Sequence, residues 1–98
     1  MPAYILGRVN VTDPEQYAKY MQLTPAAIAG YGGKFIVRGG TKETLEGPEE
    51  TSRVVVLEFP SYERAKEFFN SSQYQAAKSL RIGAADAQFV LIDGYLPS

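Results

Sequence analysis

Seven residues, Arg53-Val54-Val55-Val56-Leu57-Glu58-Phe59, leave this chain little choice of architecture. A nearly continuous β-branched run of strand length, stopped by Pro60, belongs at the centre of a sheet with both faces in contact. Other strands must therefore flank it. Ala3 to Val11 reads as one, rich in β-forming residues and without helical period, and Lys34 to Arg38 as another, stopped by Gly39-Gly40. Ala87 to Asp93 is the fourth, ended by Gly94.

Between the first two strands the pattern turns helical. Asp13 is placed to cap, Pro14 takes the favoured first helical position, and Gln16 is the return partner of a capping box. Tyr17, Tyr20, Met21, Thr24, Ile28 and Tyr31 recur at steps of three and four, which makes one stripe of an amphipathic helix. Pro25 falls inside that stripe, and its missing N–H predicts either a bent helix or two consecutive ones. Gly30, Gly32 and Gly33 close the segment. After Pro60, Ser61 caps a helix whose buried stripe is Ala65, Phe68 and Phe69. Asn70-Ser71-Ser72 breaks it, with Ser72 the expected cap of a second short helix from Gln73 to about Leu80. The polar stretch Thr41 to Ser52 is long for a hairpin loop, so part of it is expected to extend the strands.

The order β-α-β-β-α-β, read as a single domain over residues 1–98, is the ferredoxin-like split βαβ arrangement. The fold class is α+β: a four-stranded antiparallel sheet with its helices on one face. Within it the first and third strands are expected to be parallel neighbours. No helix is left for the other face, yet the strands carry apolar side chains on both. Tyr4 and Leu6 oppose Ile5 and Val9, Val54 and Val56 oppose Val55 and Leu57, and Val90 and Ile92 oppose Phe89 and Leu91. Such a face needs burial against something, and the simplest partner is a second copy. A homodimer through the sheet face is the expectation.

Composition narrows the chemistry. Ten Lys and Arg against eleven Asp and Glu leave a formal charge of −1 with no basic run, so neither a nucleic acid nor a membrane surface is an expected partner. Met1 to Arg8 lacks a charged, then apolar, leader pattern, and no stretch approaches the ~20 apolar residues of a membrane span; a cytoplasmic location is the expectation. The absence of histidine and cysteine removes Ser-His-Asp machinery, thiol catalysis, disulfides and His- or Cys-ligated metals, and no metal or cofactor is expected. Other uses of the fold fail on particular residues. The third strand has no aromatic before Phe59 on which a base could stack. The segment after Val9, Asn10-Val11-Thr12-Asp13, ends in a carboxylate that repels anions. Gly30-Tyr31-Gly32-Gly33 follows a helix rather than a strand, which removes the dinucleotide reading.

Gly32-Gly33, Arg38-Gly39-Gly40, Leu45-Glu46-Gly47 and Arg53 to Ser61, continued by Ala65, Phe68, Asn70-Ser71, Tyr74 and Arg81, give a pattern that resembles the domain-of-unknown-function 1330 family over nearly the whole chain. Phe69 stands where a tyrosine is expected in many relatives. The resemblance implies a dimeric α/β barrel in which two ferredoxin-like sheets associate face to face. It implies no reaction. Within the wider set of dimeric α/β barrels, the missing histidine removes the His-ligated haem branch.

Candidate site residues follow from charges and phenols in apolar surroundings. Arg8 alternates with Tyr4 and Leu6, and Glu58 with Val54 and Val56; the two are expected to face each other as a partly buried ion pair, structural or ligand-directed. Arg38 and Arg53 end and begin strands joined by the 39–52 connection, and two guanidiniums there could hold a carboxylate or phosphate. Pairing with Glu46 or Glu49 is the competing reading. Tyr17 and Tyr74 would wall a helix–sheet cavity, with ordinary core packing as the alternative. The expected function is binding of a small anionic or aromatic molecule in that cavity, with cofactor-independent chemistry and catalytic status left open. The alternative is a non-catalytic interaction or regulatory module whose function is the dimer itself.

Overall fold

The architecture is that of a computed structural model describing residues 1–97. Seven elements follow one another: β1 (Ala3–Val11), α1 (Pro14–Gly30), β2 (Lys34–Arg38), β3 (Arg53–Phe59), α2 (Tyr62–Asn70), α3 (Ser72–Arg81) and β4 (Ala85–Asp93). The strands form one sheet in the order β2-β3-β1-β4, and all three pairings are antiparallel. This is the ferredoxin-like α+β fold read from the element order. The β-branched run is interior, as its composition requires. One expectation falls: β1 and β3 are antiparallel neighbours, not parallel ones. Each is followed by a helix that returns the chain, and β3 enters from the far end after the 39–52 connection, which reverses it.

The sheet alternation is that of the sequence. Ala3, Ile5 and Val9 of β1 and Val55, Leu57 and Phe59 of β3 are buried against the helices, which contribute Tyr17, Tyr20, Ala27, Ile28, Ala65, Phe68, Tyr74 and Ala77. On the outer face, Val90 and Ile92 are exposed, and Tyr4, Leu6, Val54 and Val56 are only half-buried by their sheet neighbours. Gly7 serves the inner face: a Cβ there would meet the Phe89 ring at 2.5 Å and Val55 Cγ2 at 2.8 Å, so the missing side chain is what lets Phe89 cross β1.

Helix α1 is continuous through Pro25. A proline removes the N–H that would bond the carbonyl four residues back, here that of Met21. Thr24 Oγ1 donates to that carbonyl at 3.4 Å, which relieves the orphan and lets the helix continue. At the N-terminus Asp13 accepts from the Gln16 N–H at 3.2 Å, as a cap should. The Gln16 side chain does not close a capping box; it donates to the Leu80 carbonyl at 3.2 Å and ties α1 to the end of α3. Ser61 caps α2 through the Arg64 N–H. Ser71, not Ser72, caps α3: its hydroxyl accepts from the Tyr74 N–H at 3.1 Å and donates to the Phe68 carbonyl at 2.7 Å, so one side chain joins two helices. Residues 39–52 extend no strand. They form an irregular arm folded by the Glu50 N–H donating to Thr44 Oγ1 at 2.9 Å, with Leu45 at its tip 88% exposed.

Candidate functional site

The strand register decides which sequence-predicted residues meet. Arg8 lies opposite Val54, and Glu58 opposite Tyr4, four positions along the ladder, which is about 13 Å. The expected Arg8–Glu58 pair therefore does not form. Both sit near the C-terminal ends of their strands, and antiparallel strands place those ends at opposite edges of the sheet. Arg8 Nε instead bonds Glu50 Oε1 at 2.7 Å, and Glu58 meets Lys34 at 3.5 Å. The Glu50 carboxylate also accepts from the Ser52 N–H, and that bond, with the Arg8 charge, holds its pKa below the ordinary carboxylate value. Arg8 and Glu58 belong to the outer face of the sheet, away from the helices.

Arg38, Arg53, Tyr17 and Tyr74 do converge. All four line one crevice between helices and sheet. Arg53 reaches it by plain alternation, two positions before the buried Val55. Arg38 reaches it through an irregularity: Phe35 pairs with Leu57, but Val37 pairs with Val56 and Arg38 with Val55, so one extra residue is inserted at Ile36. Uninterrupted alternation would turn Arg38 outward; the bulge turns it inward. Its guanidinium stacks 4.2 Å from the Phe35 ring centre. Gly39 follows at φ +66°, and a Cβ there would collide with the Arg53 guanidinium, so both the turn and the seat of Arg53 depend on this glycine.

The walls are aromatic. Phe68 and Phe69 stack on Tyr74 with ring centres 4.7 and 4.9 Å away, and Phe89 lies 6.2 Å from Phe69. Tyr20 and Tyr74 share a buried hydrogen bond of 2.9 Å between their hydroxyls. Burial pushes the Tyr20 phenol far above its ordinary value, and the neighbouring Tyr74 adds to the effect. Burial also raises Tyr17, partly opposed by the guanidinium of Arg53 beside it and by Arg81. The crevice has about 480 Å³ of unfilled space counted out to solvent, but only about 30 Å³ accepts the centre of a water molecule. That is room for about two waters. It is a narrow slot.

The ion pairs among the described residues are Arg8–Glu50, Lys34–Glu58 and Arg64–Glu67. Arg38 and Arg53 thus have no carboxylate partner, and neither Glu46 nor Glu49 approaches them as an ion pair. Arg53 Nε is buried without a hydrogen-bond acceptor. So is the Nε of Arg81, a residue that the sequence pattern did not mark as a site candidate. Arg81 is 7% exposed, and its guanidinium lies 5.5 Å from the Tyr20 ring centre and 5.0 Å from that of Phe89. Its position at the last turn of α3 reads as an ordinary solvated helix terminus. Only the helical stripe Tyr74, Ala77, Arg81, at steps of three and four, hints that it points inward. Among the described residues no cluster of three acids could hold a metal ion, and no helix is long and apolar enough to cross a membrane.

Several solved structures share this fold. A protein of unknown function from Rhodopseudomonas palustris is 24% identical, with a TM-score of 0.77 over 98% of this chain and 84% of that one. A dimeric ferredoxin-like protein of unknown function from Jannaschia sp. CCS1 is 13% identical, with a TM-score of 0.72 over 96% and 100%. A cofactor-independent oxygenase from Streptomyces nogalater is 11% identical, with a TM-score of 0.61 over 98% and 95%. No curated protein matches the chain in sequence. The profile of the domain of unknown function DUF1330 matches residues 2–95, a span that takes in every element of the fold and every residue of the crevice, and the chain belongs to that family.

Proposed function

We propose that this protein is a homodimeric small-molecule binder whose helix–sheet crevice takes a small anionic, aromatic compound. The observation that carries the reading is the pair Arg38 and Arg53: two guanidiniums on an aromatic crevice with no carboxylate partner among the described residues. Arg38 is exposed and Arg53 half-buried, and a ligand anion in the crevice supplies the carboxylate partner that neither has. Phenols, guanidiniums, the Thr24 hydroxyl and apolar side chains line the slot, with no histidine or carboxylate among them. Burial raises the Tyr17 and Tyr20 phenols above their ordinary value, away from the range useful for proton exchange, which favours binding over turnover. Tyr17 and Tyr74 serve as wall and polar tips. Arg8 and Glu58 lie on the outer face and have no part in this site.

Dimerisation is supported by the outer face of the sheet. Tyr4, Leu6, Val54, Val56, Val90 and Ile92 have no helix over them. The accessible surface, 6310 Å², also exceeds the roughly 5,500 Å² expected of a folded monomer of this mass. The fold relative from Jannaschia sp. CCS1, a dimeric ferredoxin-like protein, supports the same reading.

The narrowness of the crevice favours a second reading, in which the dimer itself is the function and the slot is simply core. Native mass spectrometry of the full chain purified from its own host decides between them. A dimer carrying a retained small acid supports binding. A dimer that carries nothing, and whose melting temperature is unmoved by a panel of aromatic acids, supports the second reading. A monomer defeats the dimeric part of both.

A further inference from the structure

Arg81 is more deeply buried than either cation already assigned to the crevice, and it has no partner. Of the basic residues described, it alone is classed with the core, at 7% exposure, and its Nε–H meets no acceptor. Its guanidinium rests against the rings of Tyr20 and Phe89, both of which line the crevice. Rings of this kind offset part of the cost of a desolvated cation, but they leave its N–H groups unbonded. Arg53, which lines the crevice, presents a second buried Nε–H without an acceptor. The Tyr17 phenol stands in the field of both guanidiniums. Between Tyr20 and Tyr74 there are two O–H groups and one shared hydrogen bond, so one proton remains to be donated elsewhere.

Arg81 does not itself line the crevice but stands against two of its wall rings, and the polar groups around these phenols are donors in excess, with the excess charge positive. We infer that Arg81 and Arg53 together form a carboxylate-binding site at the Tyr17–Tyr20–Tyr74 phenols, and that the ligand is a small aromatic carboxylic acid. A carboxylate is planar and offers two oxygens with about four acceptor positions, which suits a set of guanidinium and phenol donors. The space that now admits about two water molecules is the size of such a head group, and the rings of Phe68, Phe69 and Phe89 supply an apolar wall for its body. Arg38, at the end of a strand, then lies toward the outer part of the slot. This inference rests on the binding reading above and specifies its ligand class and a third cation.

The test uses the full-length protein with benzoate and its neutral isostere benzamide, followed by calorimetry and by NMR of the arginine Nε–Hε resonances. Arg81→Lys and Arg53→Lys assign those two signals. Wild-type protein should bind benzoate at least tenfold more tightly than benzamide, and both resonances should move on addition of benzoate. Arg81→Met should weaken benzoate about tenfold or more, the scale of one charge-assisted hydrogen bond, without lowering the melting temperature. Arg81→Lys, which keeps charge but loses the fork, should fall between. If benzoate binds and moves Arg53 but not Arg81, or if Arg81→Met and Arg81→Lys both bind as wild type does, Arg81 has no part in the site while the binding reading stands. Equal affinity for benzamide removes the carboxylate. If wild type binds neither probe, the inference and the reading on which it rests both fall.

Discussion

Tyr20 and Tyr74 meet hydroxyl to hydroxyl at 2.9 Å inside the core, one from α1 and one from α3. The pair ties together the two helices that Gln16 and the Leu80 carbonyl also join. A buried hydroxyl whose partner is removed costs about 1–3 kcal/mol, whereas removal of both is nearly neutral. Tyr20→Phe alone should therefore lower the melting temperature by several degrees, at roughly 4–8 °C per kcal/mol for a domain of this size. The double variant Tyr20→Phe/Tyr74→Phe should cost less than the sum of the singles. Additive losses in a chemical-denaturation cycle would show that the bond carries no coupling.

The same phenols set the alkaline limit. Tyr17 and Tyr20 both have folded pKa values raised above the ordinary 10.0, chiefly by burial. Their contribution is fully present below pH 10, where folded and unfolded chains alike are protonated. It is lost as pH rises beyond 10, because the unfolded chain releases protons first. Denaturation midpoints measured from pH 8 to pH 11 should be flat at first and then fall, and Tyr20→Phe should shallow the fall. An unchanged slope in that variant would place the alkaline loss elsewhere.

Thr24 explains how α1 tolerates Pro25, and the explanation can be broken. Thr24→Val keeps the shape but removes the donor to the Met21 carbonyl. Loss of about 1 kcal/mol is expected, the net worth of one hydrogen bond. It should be accompanied by faster amide exchange around residues 24–29. Thr24→Val combined with Pro25→Ala should recover stability, because the alanine N–H takes over the carbonyl. Failure of the recovery would mean that Thr24 acts through packing alone.

How much of this was legible in the residues depends on where alternation runs undisturbed. The two faces of β1, β3 and β4 followed from period two, because Val54 to Phe59 and Phe89 to Ile92 contain no interruption. Arg38 could be placed near Arg53 from chain order, but its inward turn comes from the extra residue at Ile36, which no composition signal marks. Arg8 and Glu58 stay apart for a topological reason: two residues near the C-terminal ends of neighbouring strands meet only if the strands run the same way, and β1 and β3 do not. Arg81 was hidden by convention, since a basic residue in the last helical turn already has a sufficient explanation in the helix dipole. Only its burial, with its Nε–H unpartnered, sets it apart.

Arg8 and Glu50 make the opposite case to Arg81, an ion pair in reach of water. Arg8 is 54% exposed, so Arg8→Ala should leave the melting temperature unmoved, as exposed pairs usually do. Its effect should be local. The Glu50 pKa is lowered, so the carboxylate's hold on the Ser52 N–H is present at neutral pH and is lost as pH falls through that lowered value, below the ordinary 4.5. Hydrogen exchange should show the 44–52 arm loosening under acid before the sheet does, and Arg8→Ala should shift that loosening to higher pH. Simultaneous release of arm and sheet would mean that Glu50 does not anchor the arm.

The outer sheet face gives the sharpest prediction about assembly. Val56 lies in the interior strand of that face, opposite Leu6 and beside Val37, with its side chain turned away from the helices. A lysine there places a charge in the middle of an apolar surface without disturbing the core on the other side of the sheet. If two copies bury this face against each other, Val56→Lys must desolvate two charges across a shared axis, and the expected outcome is monomers in analytical ultracentrifugation at concentrations where wild type is dimeric. The far-ultraviolet circular dichroism should be unchanged, since the substitution adds nothing to the core. Glu63→Lys, on the exposed surface of α2 at the helical side, serves as the control and should leave the dimer intact. A dimeric Val56→Lys, or a dimer lost only in the control, would move the interface to the helical side and leave Tyr4, Leu6 and Val54 facing water.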